Sequence, residues 1–275
     1  MQLNPRYGPD PIITLDGEPS AIAEPLVRQR QRLADALEAF TDAEWSHPSR
    51  CDGWSARDVI VHLESTNLFW TASIAAGVKG TRTEFLAEFD PVASPAELVD
   101  AAAARTTAEV LEGFTASNDA LLGTVRSLDA DEWTVQAEAP PGHQPVAAVL
   151  HHALWDSFVH ERDILVPMGA APEPEPDEVI ASLRYAVALS GAFSINHDRG
   201  RGALSVRTRD PDEVFHVVAD DAVRVDAGVG PTDAAIEGDA LDLLERLSAR
   251  RPLGDLVPDE VAWMFTGLFE VFDQA

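Results

Sequence analysis

The chain has 275 residues, 45% of them hydrophobic and 24% charged, the composition of an ordinary globular protein long enough for two domains. Its 20 basic against 47 acidic side chains leave a net charge of −27, which argues against nucleic acid or an anionic membrane surface as a partner. No apolar run reaches the roughly 18–20 residues of a membrane span, the opening "MQLNPRYGPDPIITLDGEPS" lacks the basic and apolar regions of a signal peptide, and the lone Cys51 precludes an internal disulfide. A cytoplasmic location is the expectation.

Residues 1–20, rich in Pro and Gly, read as an irregular lead-in. "AIAEPLVRQRQRLADALEAF" spaces Leu26, Leu33, Leu37 and Phe40 near the helical period. After a loop, "SARDVIVHLESTNLFWTASIAAG" opens a second helix at Ser55, with Asp58 in the usual Glu position of a capping box. "SPAELVDAAAARTTAEVLEGFTASNDALLGTVRSL" reads as one long third helix capped by Ser94 and Glu97. A fourth starts near Pro145 and runs to about Leu165. "PMGAAPEPEPDE" is the best linker candidate. Beyond it come a helix, "VIASLRYAVALSGAFSI", and three alternating segments, "ALSVRT", "EVFHVVA" and "AVRVDA". "DALDLLERLSARRP" and "PDEVAWMFTGLFEVF" then return to helix. The expected organisation is a lead-in over 1–20, a helical bundle over 21–169, a linker over 170–178 and a smaller α+β domain over 179–275.

The chain also repeats itself. "DAEWSHPSRCDGWSARDVIVHL" and "DADEWTVQAEAPPGHQPVAAVLHH" share an acidic-Trp opening, a Pro, and a Gly followed nine residues later by His, which makes His62 and His151 equivalent positions. Each copy is a loop feeding a helix, as in a bundle made of two similar helix pairs.

"HHALWDSFVHERD" carries the chemistry. Side chains four apart on a helix share a face, so Asp156 and His160 can reach one ion, and His62 can supply a third ligand across the bundle. Two imidazoles and a carboxylate suit Zn²⁺ with a position left open, and Fe²⁺, Ni²⁺ or Mn²⁺ also fit. His152, one turn before Asp156, is expected to hold a ligand in place or to serve as an alternative one, and Glu161 and Asp163 are candidate acceptors behind the ligands. Against this, such a stripe is often merely solvated. Leu150, Leu154, Phe158 and Ile164 mark a core face, with Trp155 and Val159 flanking the polar stripe; pattern alone leaves both readings open.

Three stretches together resemble one family. "CDGWSARDVIVHL" and "HHALWDSFVHERD" resemble the two metal motifs of the DinB-like bundle in the mycothiol-dependent maleylpyruvate isomerase family. "DAAIEGDALDLLERLSARRPL" resembles that family's sterol-carrier-like C-terminal domain. The resemblance implies an α+β protein, a DinB-like four-helix bundle followed by a small sterol-carrier-like domain, with His62, Asp156 and His160 on a divalent metal. Asp156 stands where the isomerase commonly has Glu, one methylene longer. The resemblance also names mycothiol as thiol cosubstrate and a small electrophile as substrate. In an isomerase the thiolate adds to an activated cis double bond, permits rotation and leaves; in an S-transferase the adduct is kept. Arg250, in "LSARRP", matches a basic position of the C-terminal domain, where its fork is expected to hold a substrate carboxylate as a catalytic residue.

Other residues read as structural. Gly53 and Trp54 suit a turn and packing before the second helix, Cys51 is either inert or close enough to touch a thiol, and Arg57 and Arg162 are expected in salt bridges. Two rival functions remain: metal-dependent hydrolysis with Glu64 or His152 as base, and noncatalytic binding of an ion and an apolar ligand.

Overall fold

The structure, a computed structural model, describes residues 2–272. Four helices make the bundle: α1 (Ala23–Glu38), α3 (Ala56–Val78), α5 (Thr107–Ser127) and α6 (Val146–Leu165), with the short α2 (Asp42–Trp45) and α4 (Ala93–Ala101) between them. Helix α3 packs on α5 and α6, and α1 packs on the same two, which closes the square.

The expected capping box starts α3. The Asp58 N–H donates to Ser55 Oγ at 3.4 Å, and Asp58 Oδ2 accepts from the Ser55 N–H at 3.0 Å. The expected long third helix is instead two. Ser94 lies inside the first turn of α4 and forms no box; Asp90 Oδ1 takes the Val92 and Ala93 N–H groups at 2.9 and 2.8 Å. A charged acceptor placed before the turn outcompetes the Ser hydroxyl for these free donors. The true second start is Thr106, boxed with Glu109, and Arg57 seals the break by donating to the Ala102 and Arg105 carbonyls. A short hairpin, β2 (Gln136–Ala139) and β3 (Gly142–Pro145), leads into α6.

Beyond α6, helix α7 (Pro176–Asn196) begins inside the expected linker. Strands β4 (Gly202–Arg209), β5 (Glu213–Ala219), β6 (Val223–Ala227) and β7 (Ala235–Asp239) follow it, and α7 packs on β5 and β6 of these and on α8 (Ala240–Leu247) and α9 (Trp263–Phe272). The lead-in is not wholly irregular: Ile13–Leu15 forms β1, parallel to β6, giving a mixed sheet in the order β1-β6-β5-β4-β7. Among the described residues this amounts to nine α-helices and one five-stranded sheet, an α+β fold.

Helix α7 is long and apolar enough to cross a membrane, contrary to the reading of the sequence, yet most of it is buried by its neighbours in the molecule. An all-round apolar helix is what the centre of a core requires.

Helix α6 joins the two halves. Val149, Leu150, Ala153 and Leu154 enter the bundle core, while Trp155, Phe158 and Val159 enter the core built around α7 and the sheet. Sixteen of its 20 residues are buried, so the polar stripe on α6 cannot be a solvated face.

Candidate metal centre

Helices α3 and α6 bring His62, Asp156 and His160 together. The His62 Nε2 lies 3.7 Å and the His160 Nε2 3.5 Å from Asp156 Oδ1. The two imidazole rings meet edge to face with centroids 5.0 Å apart. One donor atom from each of the three lies within 4.8 Å of the other two. These are spacings that a small inward shift converts to the roughly 2 Å bonds of Zn²⁺ to nitrogen and oxygen.

The surroundings fix how each group points. Thr66 Oγ1 donates to Asp156 Oδ2 at 3.3 Å, which leaves Oδ1 toward the two histidines. Burial by itself raises the Asp156 carboxyl, but the hydrogen bond from His62 and the charges of His160 and His62 outweigh it and hold the group well below the usual carboxylate range. Trp54 stacks beside His62 with centroids 5.6 Å apart, and Gly53 takes the left-handed turn, φ 72°, that its loop needs. The Nδ1 of His62 is buried without a hydrogen-bond partner among the described residues.

His160 is held from behind. Its Nδ1 lies 3.0 Å from Asp163 Oδ2, so the carboxylate keeps a proton on Nδ1 and turns Nε2 toward Asp156 and His62. Asp163 is fully buried and clamped by two arginines: Arg50 Nε donates at 3.0 Å, and Arg250 donates through Nε at 2.9 Å and Nη2 at 2.7 Å. Burial raises its carboxyl, yet Arg250 above all, then His160, keep it far below the ordinary range. Burial lowers the His160 imidazole, but Cys51, Asp163 and Asp156 raise it to about 10.

Arg250 therefore reaches the site from the C-terminal half, but its fork grips Asp163 and its Nη1 donates to the Ser248 carbonyl at 3.1 Å. A guanidinium so engaged is oriented by a protein carboxylate. Cys51 Sγ sits 3.3 Å from Asp163 Oδ2, 3.6 Å from His160 Nδ1 and 3.9 Å from Arg250 Nη2, so the loop does place the thiol at the rim of the centre.

Cys51, His160 and Asp163 form a second group of possible ligands around the other nitrogen of His160. Its carboxylate already carries two guanidinium groups, whereas Asp156 has only a hydroxyl and the two ligand histidines. The donor chemistry of a divalent cation thus fits His62, Asp156 and His160.

The remaining sequence candidates lie elsewhere. His152 shares a hydrogen bond with Tyr185 Oη at 2.9 Å, stacks on Trp70, and is pushed by burial down to about 4. Glu64 pairs with Arg105 at 2.9 Å, and Glu161 with Arg32 at 2.7 Å. Arg162 pairs with Glu245 at 2.9 Å, as expected, and Arg57 touches Asp58 at 3.4 Å.

Sequence reasoning missed Thr66 and Arg50, which carry no local signal. It also passed over Arg30, which did: Arg30 interrupts the apolar stripe Leu26, Leu33, Leu37 on α1 and is fully buried.

The family model described as the mycothiol maleylpyruvate isomerase N-terminal domain matches residues 26–165, from α1 to the end of α6. A crystal structure of the mycothiol-dependent maleylpyruvate isomerase has a similar fold, with a TM-score of 0.58 and 16% identity over 87% of this chain and 90% of that one. A crystal structure of a point mutant of a mycothiol-dependent maleylpyruvate isomerase matches with the same score and identity over 85% and 89%. No curated protein matches the chain. With half of its length matched by the family model, over a span that includes His62, Asp156 and His160, the chain belongs to the mycothiol maleylpyruvate isomerase N-terminal domain family.

Proposed function

We propose that the protein is a divalent-metal-dependent enzyme that uses a low-molecular-weight thiol, mycothiol, to isomerise or S-transfer onto a small electrophile, with Zn²⁺ the best-fitting ion. The observation that carries this reading is the convergence of His62 Nε2, His160 Nε2 and Asp156 Oδ1 from two helices, in a chain whose family and fold neighbours are mycothiol-dependent isomerases.

An ion held there supplies the positive charge that lets a thiol exist as thiolate near neutral pH. The protein's own part is orientation. Thr66 holds one oxygen of Asp156, and Asp163 holds the proton on His160 Nδ1 so that Nε2 stays a donor of its lone pair. Arg250 and Arg50 keep Asp163 ionised in a buried position, so the α+β part over 179–275 completes a centre built in the bundle over 21–169. Arg250 is thereby a positioning residue acting through Asp163 and His160. The reducing compartment that such a thiol requires agrees with a cytoplasmic location.

The hydrolytic alternative is less well supported, because Glu64 and His152, the bases it needs, are bound to Arg105 and Tyr185. The test is a screen of enone-type substrates with the purified, metal-loaded protein. A change that occurs only when the thiol is present is the expected result: conversion of the cis to the trans enone with the thiol regenerated for an isomerase, or loss of the enone absorbance with the thiol consumed for an S-transferase. Turnover without thiol would replace this reading by hydrolysis, and tight ligand binding with no turnover would replace it by a binding function.

A further inference from the structure

Arg30 is a charge in the middle of the bundle without a contact ion pair among the described residues. Its side chain is fully buried on α1. Nη1 donates to Asn67 Oδ1, Nη2 donates to the Ala153 carbonyl at 3.0 Å, and Nε finds no partner among the described residues. Both of these partners are neutral, and Asn67 in turn donates to another neutral group, Ser117 Oγ, at 3.3 Å. The other arginines deep at the helix junctions differ: Arg32 has Glu161 and Glu178, and Arg50 has Asp163. Burying a guanidinium with only neutral partners is costly, and Met or Leu would fill the stripe better.

Its position says what the charge acts on. Ala153 is three residues before Asp156 on α6, and Asn67 follows Thr66, the residue that holds Asp156 Oδ2. The guanidinium thus bridges both helices that carry the ligands. Burial lowers it to about 10, with Asp156 the opposing influence, so it remains charged at neutral pH.

We propose that Arg30 is a positioning residue that tunes the centre electrostatically. Its fixed positive charge, held on the Ala153 carbonyl of α6 and on Asn67 of α3, loosens the hold of the three ligands on a divalent cation and strengthens the hold of the loaded centre on a small anionic ligand of the thiolate class. This rests on the metal reading above. Its signature is a pair of shifts of opposite sign, because one charge repels the cation and attracts the anion. A residue that only supported the fold would weaken both or neither.

The test measures Zn²⁺ affinity by competition with a chromophoric chelator, and azide affinity from the visible absorption of the Co²⁺-loaded protein. Arg30→Met removes the charge, and Asn67→Asp neutralises it while keeping Arg30 in place. Both variants are expected to bind Zn²⁺ roughly tenfold tighter and azide roughly threefold weaker, and Arg30→Lys to stay within about twofold of the wild type on both. If Arg30→Met does not fold, Asn67→Asp decides the matter alone. Affinities that fall together, or that do not move, overturn the proposal and leave the metal reading intact. A wild type that takes up neither ion overturns both.

Discussion

The two loop-helix copies share a frame and differ in chemistry. Trp45 and Trp133, their matching aromatic residues, are both buried under the helices they precede. Yet His62 points its Nε2 at Asp156, while its sequence equivalent His151 turns Nδ1 back to the Ala147 carbonyl of its own helix at 2.8 Å, and burial lowers it to about 4. The cause is which face each helix offers. His62 looks across the bundle to α6, where Asp156 and His160 wait one turn apart. His151 already sits on α6, five residues before Asp156, on a different face. The loops differ too: the first lays Cys51 and Arg50 against His160 and Asp163, and the second folds into the β2–β3 hairpin, which pairs with the lead-in. A repeated frame supplies equivalent histidines, and the facing helix decides which of them meets further donor groups.

That contrast can be broken in graded steps. The largest effect is expected for His160→Ala, which removes a ligand while leaving Asp163 between its arginines; Zn²⁺ affinity by chelator competition should fall by more than about 100-fold. Asp163→Asn keeps all three ligands but loses the carboxylate behind His160, and a drop of roughly 10- to 100-fold is expected, with Arg250→Ala weaker in the same direction.

Next comes pH. In the ion-free protein His160 is raised from 6.5 to about 10, so its ion pairs contribute fully to stability below about pH 6.5 and are lost as pH rises through about 10. The ion-free melting temperature should therefore fall across that window. The loaded protein, with His160 neutral as a ligand, should lack this fall; equal curves for the two forms would contradict the assignment. Smallest is the cap of the helix that carries His62. Ser55→Ala should cost about 1 kcal/mol in denaturant unfolding, whereas Ser94→Ala, outside any box, should change stability by less than about 0.5 kcal/mol.

What could be read in the chain follows the range of the interactions. The Ser55–Asp58 start, α6 from Val146, and the Asp156–His160 pair are encoded within a few residues, and the family resemblance joined His62 to them. The break between α4 and α5 was hidden because Ala-rich sequence favours helix on both sides and Thr106 competes with the more obvious Ser94 signal. Strand β1 was hidden because its partner Val223–Val225 lies some two hundred residues on and three apolar positions carry no period. The clamp on Asp163 depends on how α8 docks, so Arg250 was placed near the site by resemblance while its partner was not. Arg30 was legible as a charge in an apolar stripe.

The most direct test of the account is the metal content of the purified protein by elemental analysis, comparing the wild type with His62→Ala, Asp156→Ala and His151→Ala. The account expects about one Zn²⁺ or similar divalent ion per chain, lost in the first two variants and kept in the third. A wild type that carries no ion and takes up none, or His62→Ala and Asp156→Ala variants that keep theirs, would contradict it.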